Sequence, residues 1–136
     1  MRPMSKYYVP GLLWALMIFI LCMLPGKSLP HWSWTDIFSF DKFVHFTLFA
    51  ILAILFLSGY LKKEGTMTIN LFTRTAFLVA ALCSCYGWFT ELCQAWFTTD
   101  RMFEIFDGIA DMGGSFVGMY LAIYFVKKRK LVYNPS

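Results

Sequence analysis

Four long apolar runs, joined by short polar segments, make up most of the chain: residues 7–24, 43–61, 75–97 and 109–126. Each has about the 17–25 residues that cross about 30 Å of hydrocarbon as a helix. The pattern predicts an all-α fold, an integral membrane four-helix bundle. The joints leave no room for a separate soluble domain. A single membrane domain over residues 1–136 is expected, with a basic tail at 127–136. The first run follows Arg2 and Lys6, as a secretory signal would. It has no small-x-small cleavage site before Pro25-Gly26, so it reads as a retained first helix.

Composition agrees with the pattern. Hydrophobic residues are 59% of the chain and charged residues only 15%, too few polar groups for the surface of a soluble domain of this length. Aromatic residues reach 20%, as in proteins with interfacial belts of Trp and Tyr. The aromatic segment "HWSWTDIFSF" between the first two runs suits such a belt, or a lid lying on the membrane surface.

Charge then orients the helices. With the N-terminus inside, the cytoplasmic side holds Arg2, Lys6, Lys62, Lys63, Arg74, Lys127, Lys128, Arg129 and Lys130. The external side holds only Lys27, Lys42 and Arg101. This bias predicts that both termini are cytoplasmic. "KKRK" at 127–130 reads as a stop signal and an anchor to anionic lipid, and a nucleic-acid role is not expected. The acids show the opposite bias. Asp36, Asp41, Glu91, Asp100, Glu104, Asp107 and Asp111 fall on the external side, and Glu64 alone is cytoplasmic.

Some of these acids lie within the apolar runs, where a charged side chain at mid-membrane costs about 3 kcal/mol or more unless it is paired or hydrated. Asp41 and His45 are four apart, on one face if the second helix begins near Ser39 or Phe40. Asp41 then either caps that helix or orients the imidazole, which suits a ligand, a general base or a phosphate contact. Glu91 and Gln94 are three apart near the outer end of the third helix. Asp107 and Asp111 open the fourth and are followed by Gly114 and Gly118, so one face reads Asp, Asp, Gly, Gly. The glycines form a small-xxx-small packing element. Arg101, in the last external loop, either neutralises the acids or forks onto a phosphate. In one bundle, Asp41, His45, Glu91, Gln94, Arg101, Asp107 and Asp111 can converge in a half-buried pocket at the outer mouth.

The same residues carry a family resemblance. "DKFVHF", then "ELCQ", then "RMFEIFDGIADMGGSFVG" follow the pattern D-K-x-x-H-F, E-x-x-Q, Arg with Asp six residues on, and a helix with N-x-x-G-x-x-x-G. This resembles the VanZ-like family of small bacterial membrane proteins, named for a protein linked to resistance to the glycopeptide teicoplanin. The resemblance covers roughly residues 41–118 and carries over Asp41, Lys42, His45, Phe46, Glu91, Gln94, Arg101, Asp107, Gly114 and Gly118. Asp111 stands where the family usually has Asn, and Glu104 where a small hydroxyl residue is common. Both departures add negative charge, which favours a cation or alters the ligand. The resemblance implies a cell-envelope role in the bacterial inner membrane.

Two function classes follow. In a binding protein, Lys42, Gln94 and Arg101, with His45, hold the charged head of an amphipathic ligand. That ligand is a lipid-linked cell-wall precursor or the glycopeptide antibiotic itself. In an intramembrane enzyme, His45 and Glu91 serve as base and acid. Asp41, His45, Asp107 and Asp111 then hold a divalent metal that activates water or neutralises a pyrophosphate. Cys22, Cys83, Cys85 and Cys93 all lie in apolar runs. They read as small hydrophobic packing, with a Cys22–Cys93 disulfide as the alternative.

Overall fold

The computed structural model describes residues 5–24, 34–99 and 103–132. Four helices account for almost all of them: α1 (Ser5–Met23), α2 (Trp34–Glu64), α3 (Ile69–Phe97) and α4 (Ile105–Lys128). Each contains a stretch long and apolar enough to span a membrane. In hydrocarbon only internal hydrogen bonding satisfies the backbone, so a run of this length is forced into a helix. Pro10 is accommodated inside α1.

The helices are longer than the apolar runs that predict them. The second starts at Trp34 rather than near residue 43, the third at Ile69 rather than 75, the fourth at Ile105 rather than 109. Hydrophobicity marks only the part of a helix inside hydrocarbon, whereas the hydrogen-bond ladder continues into the interface. At about 1.5 Å per residue the 31 residues of α2 extend about 46 Å, well beyond the hydrocarbon thickness. From Trp34 onward the aromatic segment is the start of α2, while residues 31–33 lie outside the described residues. Asp41 is therefore two turns inside α2, so it does not cap the helix.

The turn between α2 and α3 shows how local chemistry fixes the ends. Gly65 adopts φ 73°, the left-handed conformation open to glycine, and its N–H donates to the Leu61 carbonyl. Thr68 then caps α3, its hydroxyl oxygen accepting from the Leu71 N–H at 3.3 Å.

The chain runs up and down through the bundle, which makes α2 parallel to α4 and α1 parallel to α3. α2 and α4 share the most extensive interface, followed by α3 and α4. Two apolar clusters form the interior. Ile18, Phe49, Leu52, Ala53 and Cys83 join α1, α2 and α3, while Leu57, Phe72, Ala76, Met119 and Val126 join α2, α3 and α4. The outer surface is apolar too, with Leu13, Phe43, Leu82, Trp96 and Tyr124 among its exposed large side chains. α1 is tied on by side-chain hydrogen bonds to backbone carbonyls, among them Trp14 to Leu48 at 3.0 Å and Tyr86 to Ala15 at 2.7 Å. Cys22, Cys83 and Cys93 are buried and unbridged, and Cys85 is exposed.

Candidate functional site

The polar residues meet where α2 and α4 begin and α3 ends. Glycines create the meeting point. A Cβ on Gly114 would collide with the Phe46 carbonyl, and one on Gly118 with the Ala50 carbonyl. The two backbones therefore pack in direct contact, as the spacing of the glycines predicts. His45 precedes Phe46 and Asp111 lies one turn before Gly114, so this contact delivers the imidazole to the carboxylate. Gly87 does the same on α3: a Cβ there would sit 2.6 Å from Asp111 Cβ. Asp111 is thus seated between α2, which the α4 glycines bring close, and α3, which is cut back to backbone at Gly87 to admit it.

His45 Nδ1 lies 2.9 Å from Asp111 Oδ1 and 3.9 Å from Glu91 Oε1. Asp111 and Glu91 are fully buried and His45 is 5% exposed. The hydrogen bond of the imidazole therefore goes to Asp111, 66 residues away, rather than to Asp41 one turn before it. Asp41 remains close, since one ligand atom each from Asp41, His45 and Asp107 lie within 4.8 Å of one another. A second set with the same spacing is His45, Glu91 and Asp111.

Above this buried group is an ion-pair layer. Lys42 Nζ contacts Asp107 Oδ1 at 3.0 Å and Glu104 Oε2 at 3.3 Å. Asp107 also lies in the first turn of α4, where the helix dipole favours a negative charge. The extra charge of Glu104 is met by Lys42. Exposure rises outward through the layer, from Asp107 at 5% through Lys42 at 18% to Glu104 at 48% of the side chain.

Three oxygens in the buried group, Glu91 Oε1, Glu91 Oε2 and Asp111 Oδ2, have no hydrogen-bond partner among the described residues. The Glu104 backbone N–H approaches Glu91 without closing a well-formed bond. Orphaned buried oxygens beside an imidazole suit a bound cation, or a proton held between His45 and its carboxylates. An imidazole with two or three carboxylates is also a donor set that fits a divalent metal.

Gln94 turns elsewhere. Its Nε2 donates 2.9 Å to the Cys22 carbonyl in the last turn of α1, where carbonyls run short of helical donors. Arg101 lies outside the described residues. The buried hydroxyls of Ser84, Thr90 and Ser115 donate to carbonyls of their own helices. His45, Glu91 and Asp111 are themselves enclosed by packing. The two cavities described lie at the opposite end of the bundle: one of about 400 Å³ lined by α2 and α4, and one of about 980 Å³ beside the start of α3.

Gly87 and the carbonyl partners of Gln94, Trp14 and Tyr86 are not among the residues that sequence reasoning singles out. For Gly87 a signal exists, since it lies one turn before Glu91 on the same face of α3. For the carbonyl partners there is none.

No curated protein and no solved structure gives a significant match to this chain. A family model described as VanZ/LLP1 matches residues 9–127, a stretch that includes the whole cluster from Asp41 to Asp111 and both packing glycines. By that match, spanning most of the sequence and all four helices, the chain belongs to the VanZ/LLP1 family.

Proposed function

We propose that this protein acts at the outer face of the bacterial cytoplasmic membrane on an amphipathic envelope component, and that the cluster around His45 is its binding site. The ligand carries a charged head and a lipid tail, as a lipid-linked cell-wall precursor does, or it is a glycopeptide such as teicoplanin. The observation that carries this reading is the buried His45–Asp111–Glu91 group. Packing of α2 against α4 requires only Gly114 and Gly118, yet three ionisable side chains are held inside the bundle beside them. Such groups are expensive in a membrane interior and are kept for function by default. The Lys42–Asp107–Glu104 layer links them to the surface and supplies contacts for a charged head. Exposed Phe43, Phe103 and Phe106 beside that layer suit a lipid tail.

Susceptibility to teicoplanin tests this reading. At equal expression, Glu91→Gln is expected to abolish the protection given by the wild type. Unchanged protection removes Glu91 from the mechanism.

One observation favours a second reading, an intramembrane enzyme: the donor atoms of His45, Glu91 and Asp111 converge within 4.8 Å, the spacing of a metal site. A divalent metal there would activate water or neutralise a pyrophosphate. The chain's own share would be for His45, Glu91 and Asp111 to hold the metal and for Asp41 and Asp107 to supply the outer coordination. Stoichiometric divalent metal in purified protein, lost in His45→Ala and Asp111→Ala, is the outcome this reading requires.

A further inference from the structure

The basic run "KKRK" divides into two pairs. Lys128 Nζ lies 5.9 Å from the Tyr124 ring centre, and the Arg129 guanidinium lies 5.2 Å from that of Phe125. Both rings are exposed on α4, so these two cations lie along the apolar surface of their own helix and anchor its end. Lys127 and Lys130 instead line the groove of about 980 Å³, with Arg74, Asn70 and Thr73 of α3 and the apolar Ile69 and Val132. No acid is among the described residues that line this groove, and Glu64 is bonded to Lys63 at 2.8 Å. α3 starts here, so its first N–H groups add positive potential at the same end.

The backbone at Lys130 bears on the same groove. It adopts φ 51°, in the left-handed region, directly after the C-cap Arg129. Its N–H donates to the Lys127 carbonyl at 3.1 Å, and the Leu131 N–H donates to Val126 at 3.1 Å. This closure of a helix end ordinarily takes glycine at the left-handed position. A lysine there costs backbone energy, and its side chain lines the groove. Backbone outliers of this kind concentrate at functional positions.

We propose that this groove binds the phosphate-bearing headgroup of an anionic lipid, with Arg74, Lys127 and Lys130 as its cationic contacts. Arg74 supplies a guanidinium fork suited to phosphate oxygens, and the two lysines supply point charges. Ile69 and Val132 offer the headgroup an apolar margin, which a lipid satisfies and a free anion does not. This site lies at the end of the bundle opposite His45, and it stands or falls independently of the function proposed there.

The experiment is native mass spectrometry of the purified protein in detergent micelles that carry phosphatidylcholine with phosphatidylglycerol as the minor lipid. The wild type is expected to retain phosphatidylglycerol preferentially. Arg74→Gln/Lys130→Gln should reduce that preference about tenfold or more, from the loss of two charge-assisted contacts. Lys128→Gln/Arg129→Gln removes the same charge outside the groove and should leave it unchanged. Lys130→Gly suits the backbone conformation, so it keeps the fold and should still weaken retention. Equal loss in the two double variants overturns the proposal and leaves a non-specific basic anchor. Displacement of the lipid by inorganic phosphate also overturns it, in favour of a free-phosphate site. Full retention by Lys130→Gly overturns the role given to that residue's position.

Discussion

The hydrogen bond between His45 and Asp111 joins positions that the family pattern treats differently, one its histidine and the other usually an asparagine. An asparagine at 111 would still offer an oxygen to the imidazole, so Asp111→Asn should keep the contact and change stability little. Asp111→Leu leaves the buried imidazole without its partner and should cost about 1–3 kcal/mol. A double-mutant cycle with His45→Ala and Asp111→Ala, read by denaturation in detergent, should give a coupling energy of about 1 kcal/mol or more. Strict additivity would show that the bond makes no contribution. Much of this residue-level site is legible in the sequence, because a carboxylate or imidazole in an apolar run stands out by its cost. The partners are less legible. Asp41 is the sequence neighbour of His45, yet the imidazole bonds to an acid on another helix. Lys42 reaches two acids more than 60 residues away. Gln94 donates to a backbone carbonyl, which carries no side-chain identity to be read.

At the scale of elements, the α2–α4 contact decides whether the site exists. Gly114→Ala places a methyl against the Phe46 carbonyl, and should cost about 1–3 kcal/mol through forced separation of the helices. The neighbouring Gly113 provides the control. A Cβ there would meet only the Phe46 ring at 3.5 Å, an ordinary contact. Gly113→Ala should therefore be neutral, or stabilising by up to about 1 kcal/mol through helix propensity. Equal melting temperatures for the two variants would contradict the close-approach geometry. The four-residue spacing of Gly114 and Gly118 makes this contact legible in the sequence. The extents of the helices are not, since hydropathy reports the solvent rather than the hydrogen-bond ladder. Thr68 and Gly65 are the local marks of the α2–α3 turn, and they place it several residues before the third apolar run begins.

For the whole molecule, the charge bias makes a prediction about threading. In a cysteine-free background, Thr66→Cys in the α2–α3 turn should react with an impermeant maleimide only after the cells are opened. Thr99→Cys, after α3, should react in intact cells. Both positions are exposed, so access to the reagent reports side rather than burial. The reverse pattern would place the His45 cluster on the inner side and the basic groove outside. The parallel pairing of α2 with α4 also bears on biogenesis. Synthesis proceeds from the N-terminus, so His45 and Glu91 enter the bilayer ahead of Asp111, Gly114 and Gly118. Until α4 arrives, the nascent protein holds the His45 imidazole in lipid without the Asp111 carboxylate to which it bonds. Completion of the last helix is thus the step that makes the earlier ones tolerable, and a chain truncated before Ile105 should be a substrate for membrane quality control rather than a stable three-helix intermediate.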